Sequence, residues 1–170
     1  MSGASPGWQH GRGVSTLIAV LVRYPELSSL NFEPETGLLT IAFCVRSDLQ
    51  PEQVTELRGA LAEVLEAYRG LIGAPAPTTE TLHVESMESI TVVTVVRDVE
   101  SLTVEEVGLT IEMLRDAAGQ DLVADPNDLI EEELMAQEET IEATLESLKN
   151  TPGGTLLALR EEGRILVFNT

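Results

Sequence analysis

The sequence predicts an α+β protein in which a mostly antiparallel sheet, built from hairpins, packs against three to four helices. Three observations carry that expectation. Segments 27–46 and 156–168 each pair apolar strand patterns with a tight turn. Between them lies a dense β-branched run, Ile90, Val92, Val93, Val95 and Val96 with Thr91 and Thr94 interleaved. Helical spacing of apolar residues recurs around these strands without a strict βαβ rhythm, which favours an antiparallel arrangement over a doubly wound one.

Residues 1–13 are rich in Gly, Ser and Pro and carry no periodicity, so they are expected to form a loose N-terminal tail holding Trp8 and His10. Residues 14–170 are expected to form one α+β domain, with a possible subdomain joint near 73–79. Val14, Leu17, Ile18, Leu21 and Val22 suit one face of a helix capped at Ser15, although Leu17 to Val22 also suits a buried strand. Pro25 sets a boundary at Tyr24.

The first hairpin turns through Pro34, Glu35, Thr36 and Gly37, where proline fixes φ and glycine accepts a positive one. Leu39, Ile41, Phe43 and Val45 then alternate with Thr40, Ala42, Cys44 and Arg46, a strand with one strongly apolar face. A helix follows with Pro51 in its first turn and Ser47 or Asp48 as the expected cap. Val54, Leu57, Leu61, Val64, Leu65 and Tyr68 share one of its faces, and it ends near Gly70 to Gly73.

Ala74 to Thr79 reads as a stiff polar connection. Leu82, His83 and Val84 are expected to pair, through a turn at Ser86 to Ser89, with the β-branched run, whose composition suits a central strand covered on both faces. Thr103-Val104-Glu105-Glu106 has the form of a capping box, and Val107, Ile111, Leu114 and Ala118 continue that helix toward a stop at Gly119. A further acidic helix, capped by Asp128 and striped by Leu129, Leu134, Ile141, Leu145 and Leu148, precedes Pro152 and a C-terminal hairpin turning at Gly163.

Charge narrows the function classes. The 170 residues hold 29 acids against 10 basic side chains, giving −19, and nine of those ten are arginines scattered singly. Such a field repels phosphate backbones and anionic lipid, which argues against direct nucleic-acid or membrane-surface binding and favours a basic protein surface as partner. Cys44 is the sole cysteine, so neither an internal disulfide nor a multi-cysteine zinc site can form, in keeping with a reducing, cytoplasmic setting. No apolar run reaches the length of a membrane span, and the first residues do not read as a secretory leader.

The chain carries no phosphate-binding glycine loop, no nucleophile elbow and no zinc-protease motif. Cys44 reads as a buried thiol on a strand, and His83 lacks a second ligand at metal spacing, so both are expected to be structural. The most suggestive stretch is 121–150, where ten acids face one base. Its oxygen density raises Asp125, Asp128 and Glu132 as ligands of a weakly held Mg²⁺ or Ca²⁺, although the EF-hand register that starts at Asp121 fails, with Val123 at a ligand position and Pro126 where the loop needs glycine. The like-charge pairs Glu138/Glu142 and Glu142/Glu146 oppose helix formation and call for compensation, either by packing of Leu134, Ile141, Leu145 and Leu148 or by an external cationic surface. Glu131, Glu132, Glu138, Glu139, Glu142 and Glu146 are therefore the expected partner-binding residues.

The reading is thus a non-catalytic, acidic cytoplasmic module that binds or regulates other proteins, with homo-oligomerisation through edge strands as a further expectation. The alternatives are a small enzyme or enzyme subunit using carboxylates and a divalent cation, and an acidic decoy that mimics nucleic acid.

Overall fold

The computed structural model describes residues 16–124, 154–161 and 164–169. The N-terminal tail and the acidic stretch beyond Ala124 lie outside these residues. Helix α1 occupies 16–23, followed by strands β1 (Ser29–Glu33) and β2 (Leu38–Val45), helix α2 (Pro51–Ile72), strands β3 (Glu80–Met87) and β4 (Ile90–Asp98), and helix α3 (Val104–Ala118). Strands β5 (Leu156–Glu161) and β6 (Arg164–Asn169) complete the described chain. The six strands form one antiparallel sheet in the order β3-β4-β2-β1-β5-β6, so the architecture is α+β.

The turn between β1 and β2 forms as its residues dictate. Gly37 takes φ +71° and donates its N–H to the Glu33 carbonyl at 2.8 Å, a conformation that a side chain would strain. Alternation in β2 then places Leu39, Ile41, Phe43 and Val45 against the helices, while Thr40, Ala42 and Cys44 sit half-buried on the opposite face. In β4 the same parity buries Thr91, Val93, Val95 and Arg97. The described helices pack on that face alone: Val93 and Val95 join the core cluster and Val92 and Val96 do not, so helical cover on both faces of β4 is not what these elements provide.

Residues 16–23 are helical, and Leu17 and Leu21 are fully buried one turn apart, which decides between the two local possibilities. Arg160 of β5 closes the C-terminal end of α1, its guanidinium donating to the carbonyls of Leu21, Tyr24 and Leu27. Helix α2 is capped by Gln50 rather than Ser47 or Asp48. Pro51 has no N–H to offer and takes the first helical position, so the cap falls on the residue before it, and Gln53 reaches back to the Gln50 N–H at 2.9 Å. Thr103 and Glu106 form the expected box at α3. Beyond α3 the chain makes a short 3-10 turn and runs beside the end of β2, with the Val123 N–H donating to the Cys44 carbonyl and the Arg46 N–H to the Asp121 carbonyl.

Thr91 locks the loop into α2. It is fully buried, donates to the Ser47 carbonyl at 2.7 Å and accepts the Leu49 N–H at 3.0 Å. Thr91→Val keeps the shape and leaves both loop groups unpaired in the interior. It is expected to lower the unfolding free energy by about 1–3 kcal/mol, read from urea denaturation beside the wild type.

Candidate functional site: a cleft between helix α2 and the edge strand

Helix α2 runs for 22 residues yet buries only Leu57, Leu61 and Leu65, one stripe at four-residue spacing. It therefore rests on the body along a narrow line. Between it and the sheet lies a cavity of about 190 Å³. Ile41, Phe43 and Val95 form its sheet side, Leu61 and Leu65 its α2 side, and Leu102 and Val107 its inner wall. The exposed residues that line it are Arg58 and Ala62 of α2 with Glu80 and Thr81 of β3. The mouth thus opens between the helix and the edge strand.

The polar end of the cleft is a buried ion-pair network. Arg97 and Glu106 are each 2% exposed. Arg97 Nη1 donates to Glu106 Oε1 at 2.9 Å, and its Nη2 donates to Ser101 Oγ at 3.1 Å and to Glu106 Oε2 at 3.4 Å. Arg69 of α2 adds its Nε–H to the same Oε1 at 2.9 Å and pairs through both terminal nitrogens with Glu80 of β3. The Thr103 N–H completes the set on Oε2 at 3.0 Å. Arg97 Nε makes no hydrogen bond, and its nearest carboxylate oxygen, Asp98 Oδ1, stands at 3.9 Å. Asp98 is held instead by the N–H groups of Thr79 and Ser101.

Burial by itself would push the Glu106 carboxyl up. The hydrogen bonds and charge of Arg97, followed by those of Arg69 and the Thr103 N–H, outweigh it and hold the group below the ordinary value of 4.5. Asp98 is likewise lowered, its bonds to Ser101 and Thr79 overcoming its desolvation. Arg69 loses solvation too, but Glu80 and Glu106 raise its pKa further above the usual arginine value. A carboxylate held below its ordinary pKa, with both oxygens filled by donors, is an anchor and a poor proton carrier.

Backbone geometry completes the site. Met87 and Ile90 close a two-residue turn at Glu88 and Ser89, where Glu88 takes φ +58°. Counting back along the antiparallel ladder, Met87, Glu85, His83 and Thr81 bond to β4, and Glu80, Leu82, Val84 and Ser86 turn their N–H and C=O groups outward. Of these outward groups, the Leu82 carbonyl receives Arg58 Nη1. Leu82 and Val84 direct their side chains to the helix-covered face, beside the mouth.

The chain matches no protein-family model, no curated protein and no solved structure.

The sequence points to residues that the structure does not describe. Asp125, Asp128, Glu131, Glu132, Glu138, Glu139, Glu142 and Glu146 lie outside the described residues, and among the described residues no group of three or more His, Cys, Asp or Glu is placed to hold a metal. His83 and Cys44 share the sheet face opposite the cleft, but β4 stands between their strands. His83 is in register with Thr94 and Ala42, whereas Cys44 is in register with Val92 and Glu85. Two strand spacings, about 10 Å, keep imidazole and thiol apart. The residues missed are Arg58, Arg69, Arg97 and Glu106. One signal was available: the parity that buries Val93 and Val95 also buries Arg97, and a buried arginine demands a carboxylate.

Glu106→Gln removes the anion that two guanidinium groups share and is expected to cost about 3–5 kcal/mol of stability at neutral pH. The pH dependence has a fixed sign. Because the folded pKa of Glu106 is lowered, its contribution is fully present above the unfolded value near 4.5 and is lost as pH falls through the folded value. Denaturation curves at pH 7 and pH 3 should therefore differ less for Glu106→Gln than for the wild type.

Proposed function

We propose that the protein is a non-catalytic, acidic cytoplasmic protein-binding module that takes up an extended segment of a partner as an added strand along β3. The observation that carries this reading is the row of outward backbone groups on β3, centred on Val84, set beside the mouth of a cavity. Strand addition uses both features: ladder hydrogen bonds supply affinity, and a pocket beside the ladder supplies choice among side chains. A buried, filled carboxylate at the cleft's polar end suits shape recognition better than bond-making.

Charge sets the partner. Helix α2 and strand β3 carry Glu52, Glu56, Glu63, Glu66, Glu80 and Glu85 against Arg58 and Arg69, and the chain as a whole stands at −19. A basic segment is steered to this edge, whereas a second copy of the chain brings another −19 to it. Met87 and Ile90, 52% and 41% exposed at the hairpin tip, would offer a bound segment a separate apolar contact on the sheet face opposite the cleft.

Val84→Pro tests the reading. Val84 turns its N–H away from β4, so proline removes a donor needed by an added strand and leaves the β3–β4 ladder intact. Dodecapeptides selected from a displayed random library against the full-length chain should bind Val84→Pro at least about tenfold more weakly, by calorimetry, with the unfolding midpoint close to wild type. Unchanged affinity removes strand addition from consideration. Arg58→Ala frees the Leu82 carbonyl and should tighten the same peptides by about two- to fivefold.

A further inference from the structure

We infer that the cleft reads one bulky apolar side chain of the bound segment, at the position across from Leu82, together with a lysine or arginine three residues away across from Glu85. This inference rests on the strand-addition reading and goes beyond it to the sequence chemistry of the partner. The strand period fixes the first part. A residue paired with Leu82 directs its side chain to the same sheet face as Leu82, where the mouth opens beneath Arg58 and Ala62. Residues one step away fall on the opposite face and miss the cavity.

Size and lining define the occupant. A closed apolar cavity of about 150 Å³ accepts benzene, so about 190 Å³ receives the ring of phenylalanine with room to spare. The deep walls, Ile41, Phe43, Leu61, Leu65, Val95, Leu102 and Val107, are all apolar and buried. The carboxylates of Glu80 and Glu106 at the polar end are already taken by Arg69 and Arg97, so a cationic side chain entering the cavity finds no free anion to offset its lost hydration, and the surplus of carboxylates disfavours an anionic one. An uncharged apolar group is therefore selected.

The second part follows from register. Glu85 is exposed on β3, three residues from Leu82, and its side chain lies on the face opposite the cleft. A strand that seats its apolar residue across from Leu82 places a residue three positions away across from Glu85, on that same face. Opposite charges directly across a ladder attract, and like charges there destabilise the pair.

The experiment uses the full chain and the synthetic heptapeptide Lys-Thr-Thr-Phe-Thr-Thr-Lys, which satisfies the spacing in either strand direction. Calorimetric titration should show binding that weakens at least about tenfold when Phe is replaced by Ala, and at least about fivefold when both Lys are replaced by Glu, the latter difference shrinking in high salt. Ala62→Phe, a change at an exposed residue of the mouth, should weaken the phenylalanine peptide at least about tenfold and bring it level with the alanine peptide. Equal affinity of the two peptides, or indifference to Ala62→Phe, overturns the pocket inference, and so does the absence of binding by any of them. If Val84→Pro abolishes binding of the phenylalanine and alanine peptides alike and they do not differ, strand addition stands and the pocket inference falls. If Val84→Pro changes nothing, both fall.

Discussion

The carboxylate of Glu106 is the point on which the geometry of the site hangs. It begins α3, yet it accepts hydrogen bonds from β4 through Arg97 and from α2 through Arg69, and Arg69 in turn grips β3 through Glu80. Four elements are thus indexed to one buried anion. A pair of this kind is not retained for net stability, because apolar residues of equal volume would often do as well. What it supplies is position. Leucines slide over one another at little cost, whereas a guanidinium fork that leaves its carboxylate strands two charges in a medium where they cannot be solvated.

The cleft lies directly beside that network. Three leucines give α2 a narrow apolar stripe, too little to draw a helix of 22 residues flat against the sheet. Polar contacts also hold it: Arg58 on the Leu82 carbonyl, the Tyr68 hydroxyl on the Thr103 hydroxyl, and Arg69 on Glu80 and Glu106. Leu61 and Leu65, between Arg58 and Arg69, line the cleft from the helix side, and Arg97 and Glu106 stay paired at its polar end. The depressed pKa of Glu106 reports the same fact from the proton's side: the site is arranged so that this group stays charged.

Local rules were legible in the sequence and long-range pairing was not. Leu39, Ile41, Phe43 and Val45 announced a strand because period-two alternation needs no knowledge of neighbours, and Gly37 announced its turn because only glycine accepts a positive φ without strain. Thr103 and Glu106 read as a cap, which they are. The same glutamate is also the anchor of Arg97, and nothing local says so, since the pairing depends on β4 lying under α3. The acidic surplus drew attention to 121–150 because charge density is visible in one dimension. The cleft is assembled from β2, β4, β3, α2 and α3, and no window of sequence contains it. Gln50 shows a smaller version of the lesson: Ser47 and Asp48 are better caps by type, but Pro51 fixes where the helix starts.

An open edge beside an apolar cavity is a hazard for any protein, since a row of unpaired backbone groups pairs with other chains without discrimination. Here two features restrict the traffic. Arg58 covers the Leu82 carbonyl, so that an entering strand must displace it. On the proposed reading, the surplus of carboxylates on α2 and β3 would disfavour acidic segments, further copies of this chain among them, and favour basic ones. In the proposed strand addition, affinity would come from hydrogen bonds that any peptide offers, and selectivity from charge and from the shape of the cavity. On this view the large negative charge has a role beyond solubility. If β3 takes up a strand as proposed, that charge would disfavour pairing with a second copy at an edge left open among the described residues and favour segments of opposite charge.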